Sequence, residues 1–359
     1  MKSRLRYLVT LLGLVWSLPL VATEARVVEE VRAILLSQAL SVPNESQLQS
    51  LAQEDLGSSV KTIDPWAHLV PPGNVAESRA VIGAELYKIG QRTWLMPYMN
   101  GPLARAGIRD RVELYKVNSK EVAVLSLPDI ARMLTGSTGD VLQIEICESA
   151  CRSPSTLTLV LEDTPVPAVE AVELAGQRII RVRSFRQQET KIFLATLVSA
   201  TTDSSPLILD LRDCQGGDLF EAMDSAALFL PAGQELAVTY DRHGLKRRFY
   251  SPQTPPKFAR PLTIWISEVT ASAGEIFAGI LQQQGRARLA GMRSRGKCVS
   301  QTKKRLSDGS LFYFTNLEIR LPGGVGCKDV GIEPDITLGV EELRSSRLIL
   351  DRLQPSGVQ

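Results

Sequence analysis

From Gln177 onward the chain alternates short apolar runs with helix-like ones: RIIRVRSF, KIFLATLVSA, PLILDLR, FEAMDSAALFL, PLTIWIS, and then a helical stretch opening at Ser272. Largely apolar strands that alternate with helices are strands covered on both faces. They specify a layered α/β core. In such sheets ligands gather outside the carboxyl ends of parallel strands. Two of these ends carry unusual turns. PLILDLR runs into Asp213-Cys214-Gln215-Gly216-Gly217, and PLTIWIS runs into Glu268-Val269-Thr270-Ala271-Ser272-Ala273-Gly274-Glu275.

Ser272 opens a helix whose apolar residues Ile276, Phe277, Ile280 and Leu281 recur at helical spacing, so its hydroxyl sits at the positive end of the helix dipole. A serine hydroxyl needs a base to become a nucleophile. Histidine is scarce here, with only His68 and His243 in the chain. A lysine can take the role when burial lowers its pKa and leaves the neutral amine available, and Lys297, between Gly296 and Cys298, is the candidate. The Ala273 amide, with an amide from the Gly216-Gly217 turn, would hold an oxyanion, because glycines let backbone approach a substrate closely. Each feature alone has an ordinary explanation: a helix cap, a solvated lysine, a tight turn. What favours a functional reading is their joint occurrence in one layered domain, together with the export signal and the peptide-binding module described below.

Other chemistries fit less well. A net charge of +2 argues against a nucleic-acid surface, and the basic runs at 242–248 and 303–305 read as solvated loops. Cys147, Cys151, Cys214, Cys298 and Cys327 are spaced like no zinc site, so no metal and no cofactor is expected. Cys147 and Cys151 suit a local disulfide in an oxidising compartment. Cys214 and Cys298 both approach the Ser-Lys site, so a bridge between them is one arrangement. Cys327 is a rival partner for Cys298, and unpaired buried thiols are a third possibility.

The rest of the chain reads as α+β and multidomain. Residues 1–25 place Lys2, Arg4 and Arg6 before an apolar run of about fourteen residues closed by small ones, the pattern of a signal peptide, with cleavage expected near Ala25. The mature protein is then exported, soluble or membrane-peripheral. An N-terminal helical segment follows over 26–79, a compact α+β module over 80–165, the α/β core over 166–345 and a C-terminal tail over 346–359.

The module resembles a PDZ domain, which captures peptide tails by adding them as a strand to its sheet edge. Val81, Ile82, Gly83 and Ala84 stand at the position of the tail-binding loop, followed by Gly101-Pro102-Leu103-Ala104-Arg105-Ala106-Gly107-Ile108 and Lys116-Val117-Asn118. Asp110-Arg111-Val112 stand where bacterial versions have Pro-Gly-Asp.

Over about 80–338 the chain is similar to the C-terminal processing peptidases, serine endopeptidases with an inserted PDZ domain and a crotonase-like α/β core. Thr270-Ala271-Ser272-Ala273-Gly274-Glu275-Ile276 is similar to the family's Ser-Ala-Ser-Ala-Ser-Glu-Ile, whose middle serine is the nucleophile. Gly296-Lys297 with Gln301 matches its Gly-Lys-Gly-x-Val-Gln, where the lysine is the base and the glutamine orients it. Leu211-Arg212 through Gly216-Gly217 corresponds to the oxyanion turn, with Cys214-Gln215 in place of Asn-Pro, and Gly331-Ile332-Glu333-Pro334-Asp335 to a closing structural motif. The resemblance implies an exported Ser-Lys endopeptidase of the periplasm or thylakoid lumen, acting on protein or peptide substrates with accessible C-termini. Contact between Gln301 and Lys297 requires a bend or bulge, because four residues of extended strand span roughly 13 Å. Two other readings stand beside this one: a catalytically silent tail-binding adaptor and a hydrophobic-ligand carrier.

Overall fold

The computed structural model describes residues 18–51, 55–73, 80–89, 91–148, 153–201, 206–252 and 257–353, with side chains from residue 25. Most of the signal-peptide expectation therefore lies outside the described residues. Among the described residues no helix is long and apolar enough to cross a membrane. The chain forms two compact units, one of residues up to 75 with 240–245 and 299–318, the other of 76–239, 246–298 and 319–359.

The first unit is built on the helix Leu18–Gln38. Val27, Val28, Val31 and Leu35 lie on one of its faces and pack with Leu48, Leu51, Leu56 and Val60. That core also takes Leu306, Phe312 and Phe314 from the hairpin of strands Val299–Arg305 and Leu311–Leu321. A division at residue 79 thus leaves out part of this unit. The hairpin, which the linear reading assigns to the α/β core, shares its alternating apolar residues with a helix nearly three hundred residues upstream. Strand His68–Val70 pairs antiparallel with residues 311–313. Strand Val299–Arg305 carries a register shift at Ser300/Gln301, a bulge that no local residue pattern announces.

The second unit contains an antiparallel sheet and a mostly parallel one. The antiparallel sheet runs in the order Ala84–Ile89, Arg92–Pro97, Val112–Val117, Val141–Cys147, Ser155–Val160. The helix Leu127–Met133 is capped by Ser126. Leu95, Leu103, Leu114, Ile130, Ile144 and Leu159 belong to a core of its own.

The other sheet has the order Val169–Leu174, Gln177–Val182, Leu207–Asp210, Leu262–Ile266, Arg288–Gly291, Ile336–Thr337. Its first two strands form an antiparallel hairpin turned through Ala175 and Gly176, both at positive φ; the remaining neighbours are parallel. Leu207, Leu209, Ile264 and Ile266 share one core with helices Thr190–Ser199, Leu219–Ala227 and Ala273–Gln283. Trp265 and Ile179 belong to a second core with Ile349 and Leu350 of the helix Ser346–Leu353. Residues 346–353 are accordingly a packed helix rather than a tail, because the apolar pair 349–350 completes the cover of the parallel sheet.

Candidate active site

Strands Leu207–Asp210 and Leu262–Ile266 are hydrogen-bonded neighbours, so the turns at their carboxyl ends lie side by side. Three bonds lock them together. The Ser267 hydroxyl donates to Arg212 O at 2.5 Å, the Thr270 hydroxyl to Leu211 O at 2.8 Å, and the Ala271 amide to Cys214 O at 3.0 Å. The first turn is braced from beneath by Arg212, fully buried and bonded to both oxygens of Asp210 at 2.8 and 2.7 Å.

Ser272 caps the helix Ala273–Gln283 with φ 56° and ψ −123°. Positive φ in a residue with a Cβ costs energy and persists only where its surroundings impose it, a condition that clusters at functional sites. The glycine turn imposes it here. A Cβ on Gly216 would lie 2.7 Å from Ser272 Cβ and 3.2 Å from the Ala273 amide nitrogen, and one on Gly217 would lie 2.3 Å from Phe185 O. Only glycine fits at either position. Ala273, the first residue of the helix, has an amide without an intrahelical acceptor.

Cys214 is a free, buried thiol beneath this turn. Burial pushes its pKa up to about 12, opposed by the Gly216 amide, which faces the sulfur. Of the three amides expected to form an oxyanion hole, that of Gly216 is thus drawn toward Cys214.

The lysine segment reaches the serine through Glu275. Its Oε2 accepts from the Ser272 amide and from the Lys297 amide, both at 2.8 Å. Its Oε1 accepts from the Ser294 hydroxyl at 2.5 Å and from the Gly296 amide at 2.6 Å. Burial raises the pKa of this carboxyl, while hydrogen bonds from Ser294, Gly296, Ser272 and Lys297 pull it down. One carboxylate therefore joins the two segments that the sequence singled out. The lysine segment is also held from the other side: the Asp329 amide donates to Gly296 O at 2.8 Å, and Cys298 is disulfide-bonded to Cys327. The bridge runs to Cys327 and not to Cys214, whose sulfur is enclosed against Gly274. Cys147 is disulfide-bonded; Cys151, its expected partner, lies outside the described residues.

Gln301 sits at the bulge of its strand in the first unit, and its side-chain amide donates to Trp66 O at 2.7 Å. In the module, Val81 exchanges backbone bonds with Glu162, while Ile82 O and Gly83 O accept from Leu103 and Tyr98. Gly83 has φ 70°, and a Cβ there would lie 2.5 Å from Gly101 Cα. Ala84 begins the strand Ala84–Ile89, which lies at an edge of its sheet.

Residues 178–338 match the sequence model of peptidase family S41. A CtpA-like serine protease of Staphylococcus aureus (strain MRSA252) is 25% identical over 333 residues, covering 90% of this chain and 66% of that protein. The chloroplastic C-terminal processing peptidase of Tetradesmus obliquus is 28% identical over 309 residues, covering 78% of this chain and 66% of that protein. The chain thus spans just under two thirds of the length of these relatives. Among solved structures, a photosystem II D1 C-terminal processing protease superposes with a TM-score of 0.61 at 21% identity, covering 88% of this chain and 93% of the other. An S41 protease from Bacteroides fragilis NCTC 9343 superposes with a TM-score of 0.56 at 13% identity, covering 88% and 91%. These structures share the mixed α/β fold. Ser272, Lys297 and the Gly216-Gly217 turn all lie within the residues, 178–338, that match the sequence model of this family.

Proposed function

We propose that this protein is a serine endopeptidase of the C-terminal processing type, with Ser272 as nucleophile and Lys297 as general base. The observation that carries this reading is the single Glu275 oxygen that accepts from the amides of both residues. Ser272 Oγ attacks the scissile carbonyl as the neutral Lys297 amine takes its proton. The amides of Gly217 and Ala273 receive the oxyanion. The proton then passes to the leaving amine, and water, deprotonated by the same lysine, hydrolyses the acyl-enzyme.

The 80–165 module acts as a PDZ-like tail-binding domain and the 166–345 region as a crotonase-like core. The Val81–Ala84 loop and the edge strand beginning at Ala84 suit capture of a substrate tail as an added strand. Substrates are precursor or unfolded proteins with accessible C-termini, met after export to a periplasm or thylakoid lumen. The test is cleavage of casein by the purified full chain, where Ser272→Ala and Lys297→Ala should each lower kcat by roughly 10⁴-fold or more with the fold intact. A Ser272→Ala protein that cleaves like the wild type excludes the assignment. Tail binding without cleavage by the wild type leaves the adaptor reading in its place.

A further inference from the structure

Ser294 lies between the strand Arg288–Gly291 and Lys297, and it is buried. Its amide donates to Ile332 O at 3.1 Å, and its hydroxyl accepts from the Ile332 amide at 2.7 Å. A serine hydroxyl has one proton to give, and an ionised carboxylate only accepts. That proton goes to Glu275 Oε1 at 2.5 Å. Of the four bonds described to this carboxylate, three come from the backbone amides of Ser272, Gly296 and Lys297, fixed by the course of the chain. Ser294 supplies the fourth, the one a point substitution removes.

We propose that Ser294 is a positioning residue for the reaction: by holding Glu275 it sets the spacing between the nucleophile's segment and the base's segment. The inference rests on the Ser-Lys reading above. The terminal torsion of a glutamate is broad and roughly two-fold, so the carboxylate plane is set by its hydrogen bonds and not by a rotamer well. Loss of the Ser294 donor leaves Oε1 with the Gly296 amide alone and lets the plane turn. Oε2 then no longer lies between the amides of Ser272 and Lys297. Proton transfer from Ser272 to Lys297 depends on a geometry in which a displacement of about 1 Å costs on the order of 10²-fold.

The experiment compares the full wild-type chain with Ser294→Ala and Ser294→Thr. It measures steady-state cleavage of an unstructured fluorogenic peptide, the rate and extent of Ser272 modification by a small fluorophosphonate, and urea unfolding. Ser294→Ala should lower kcat roughly 10- to 100-fold with KM within about two-fold. Its labelling should slow in step while still reaching completion, since the protein is folded and the serine is present. Ser294→Thr, which keeps the hydroxyl, should recover most of the rate. Wild-type behaviour of Ser294→Ala overturns the proposal. So does a loss seen only as incomplete labelling of a partly unfolded sample, or a folded Ser294→Thr no faster than Ser294→Ala. A wild-type chain that neither cleaves the peptide nor is labelled at Ser272 sinks the peptidase reading itself and this inference with it.

Discussion

Glu275 is a carboxyl whose pKa burial raises above its ordinary value of 4.5, against four hydrogen bonds that favour the ionised form. Two signs follow. For stability, a folded-state pKa above the unfolded one means that the native state binds the extra proton between the two values. The contribution of Glu275 to stability is therefore largest below that window and declines as pH rises through it. For activity the sign is opposite, because only the carboxylate accepts from all four donors, the amides of Ser272, Lys297 and Gly296 and the Ser294 hydroxyl. Turnover should fall as pH drops through the raised folded-state value, at a pH above that of an ordinary glutamate, with no loss of stability from Glu275 over the same limb. Glu275→Gln should lower kcat by roughly 10²-fold and remove the Glu275 step from the acid limb, leaving the step on which Lys297 takes up a proton. A variant with the wild-type acid limb shows that another group titrates there. Ser272, Lys297 and the glycine pair were legible because strand ends, a helix start and the scarcity of histidine converge on them. Glu275 was within reach, since a glutamate three residues after a serine is the spacing of a capping box. Ser294 was not, because its role depends on Ile332, which no periodicity connects to it.

Among the elements, the parallel strands and their helices could be read because each carries its own period. The partner of the 299–318 hairpin could not, because Phe312 and Phe314 read as an ordinary half-buried strand until the helix Leu18–Gln38 supplies their cover. The cysteine pairing was equally closed to spacing arguments, since Cys214 and Cys327 were rival partners for Cys298. The bridge chosen, Cys298–Cys327, closes a loop of 29 residues in sequence separation and ties the lysine segment to the loop whose Asp329 amide holds Gly296 O. Replacing both cysteines by serine should cost roughly 2–4 kcal/mol, read as a lowered urea midpoint, mainly because the unfolded chain regains the entropy of an open loop. Acylation of Ser272 should slow at the same time, because the segment carrying Gly296 and Lys297 loses its covalent link to the 327–332 loop. Cys214, with its pKa raised to about 12 by burial, should remain unalkylated in the folded protein. A midpoint unchanged within about 0.5 kcal/mol means that the 327–332 loop holds the lysine segment without the bridge.

At the scale of the whole second unit, the question is whether the α+β module is tethered to the α/β core or built into it. Asp110-Arg111-Val112, which depart from the Pro-Gly-Asp of bacterial PDZ domains, answer through their partners. Asp110 accepts from the Ser346 amide and hydroxyl at 2.5 and 2.9 Å. Arg111, stacked over the Tyr87 ring at 4.9 Å, donates to Leu343 O at 3.2 Å and to Asp213 at 2.7 Å; both ion-pair partners are almost completely buried. Asp213 begins the turn that carries Gly216 and Gly217, so the residue just ahead of the module's strand Val112–Val117 braces the proposed oxyanion turn. Such a pair adds little over a well-packed apolar substitute, yet removing one partner strands the other charge in a dry interior. Arg111→Met should therefore destabilise the fold by about 3–5 kcal/mol. In a double-mutant cycle, Arg111→Met with Asp213→Ala should cost less than the sum of the two single substitutions, because neither charge is then left alone. Ser272 labelling by a fluorophosphonate should be slower in all three variants, measured well below their urea midpoints, because the turn facing Ser272 loses its brace in each. Arg111→Met with a wild-type urea midpoint and a wild-type labelling rate means that the module is only tethered and that the oxyanion turn keeps its shape without it.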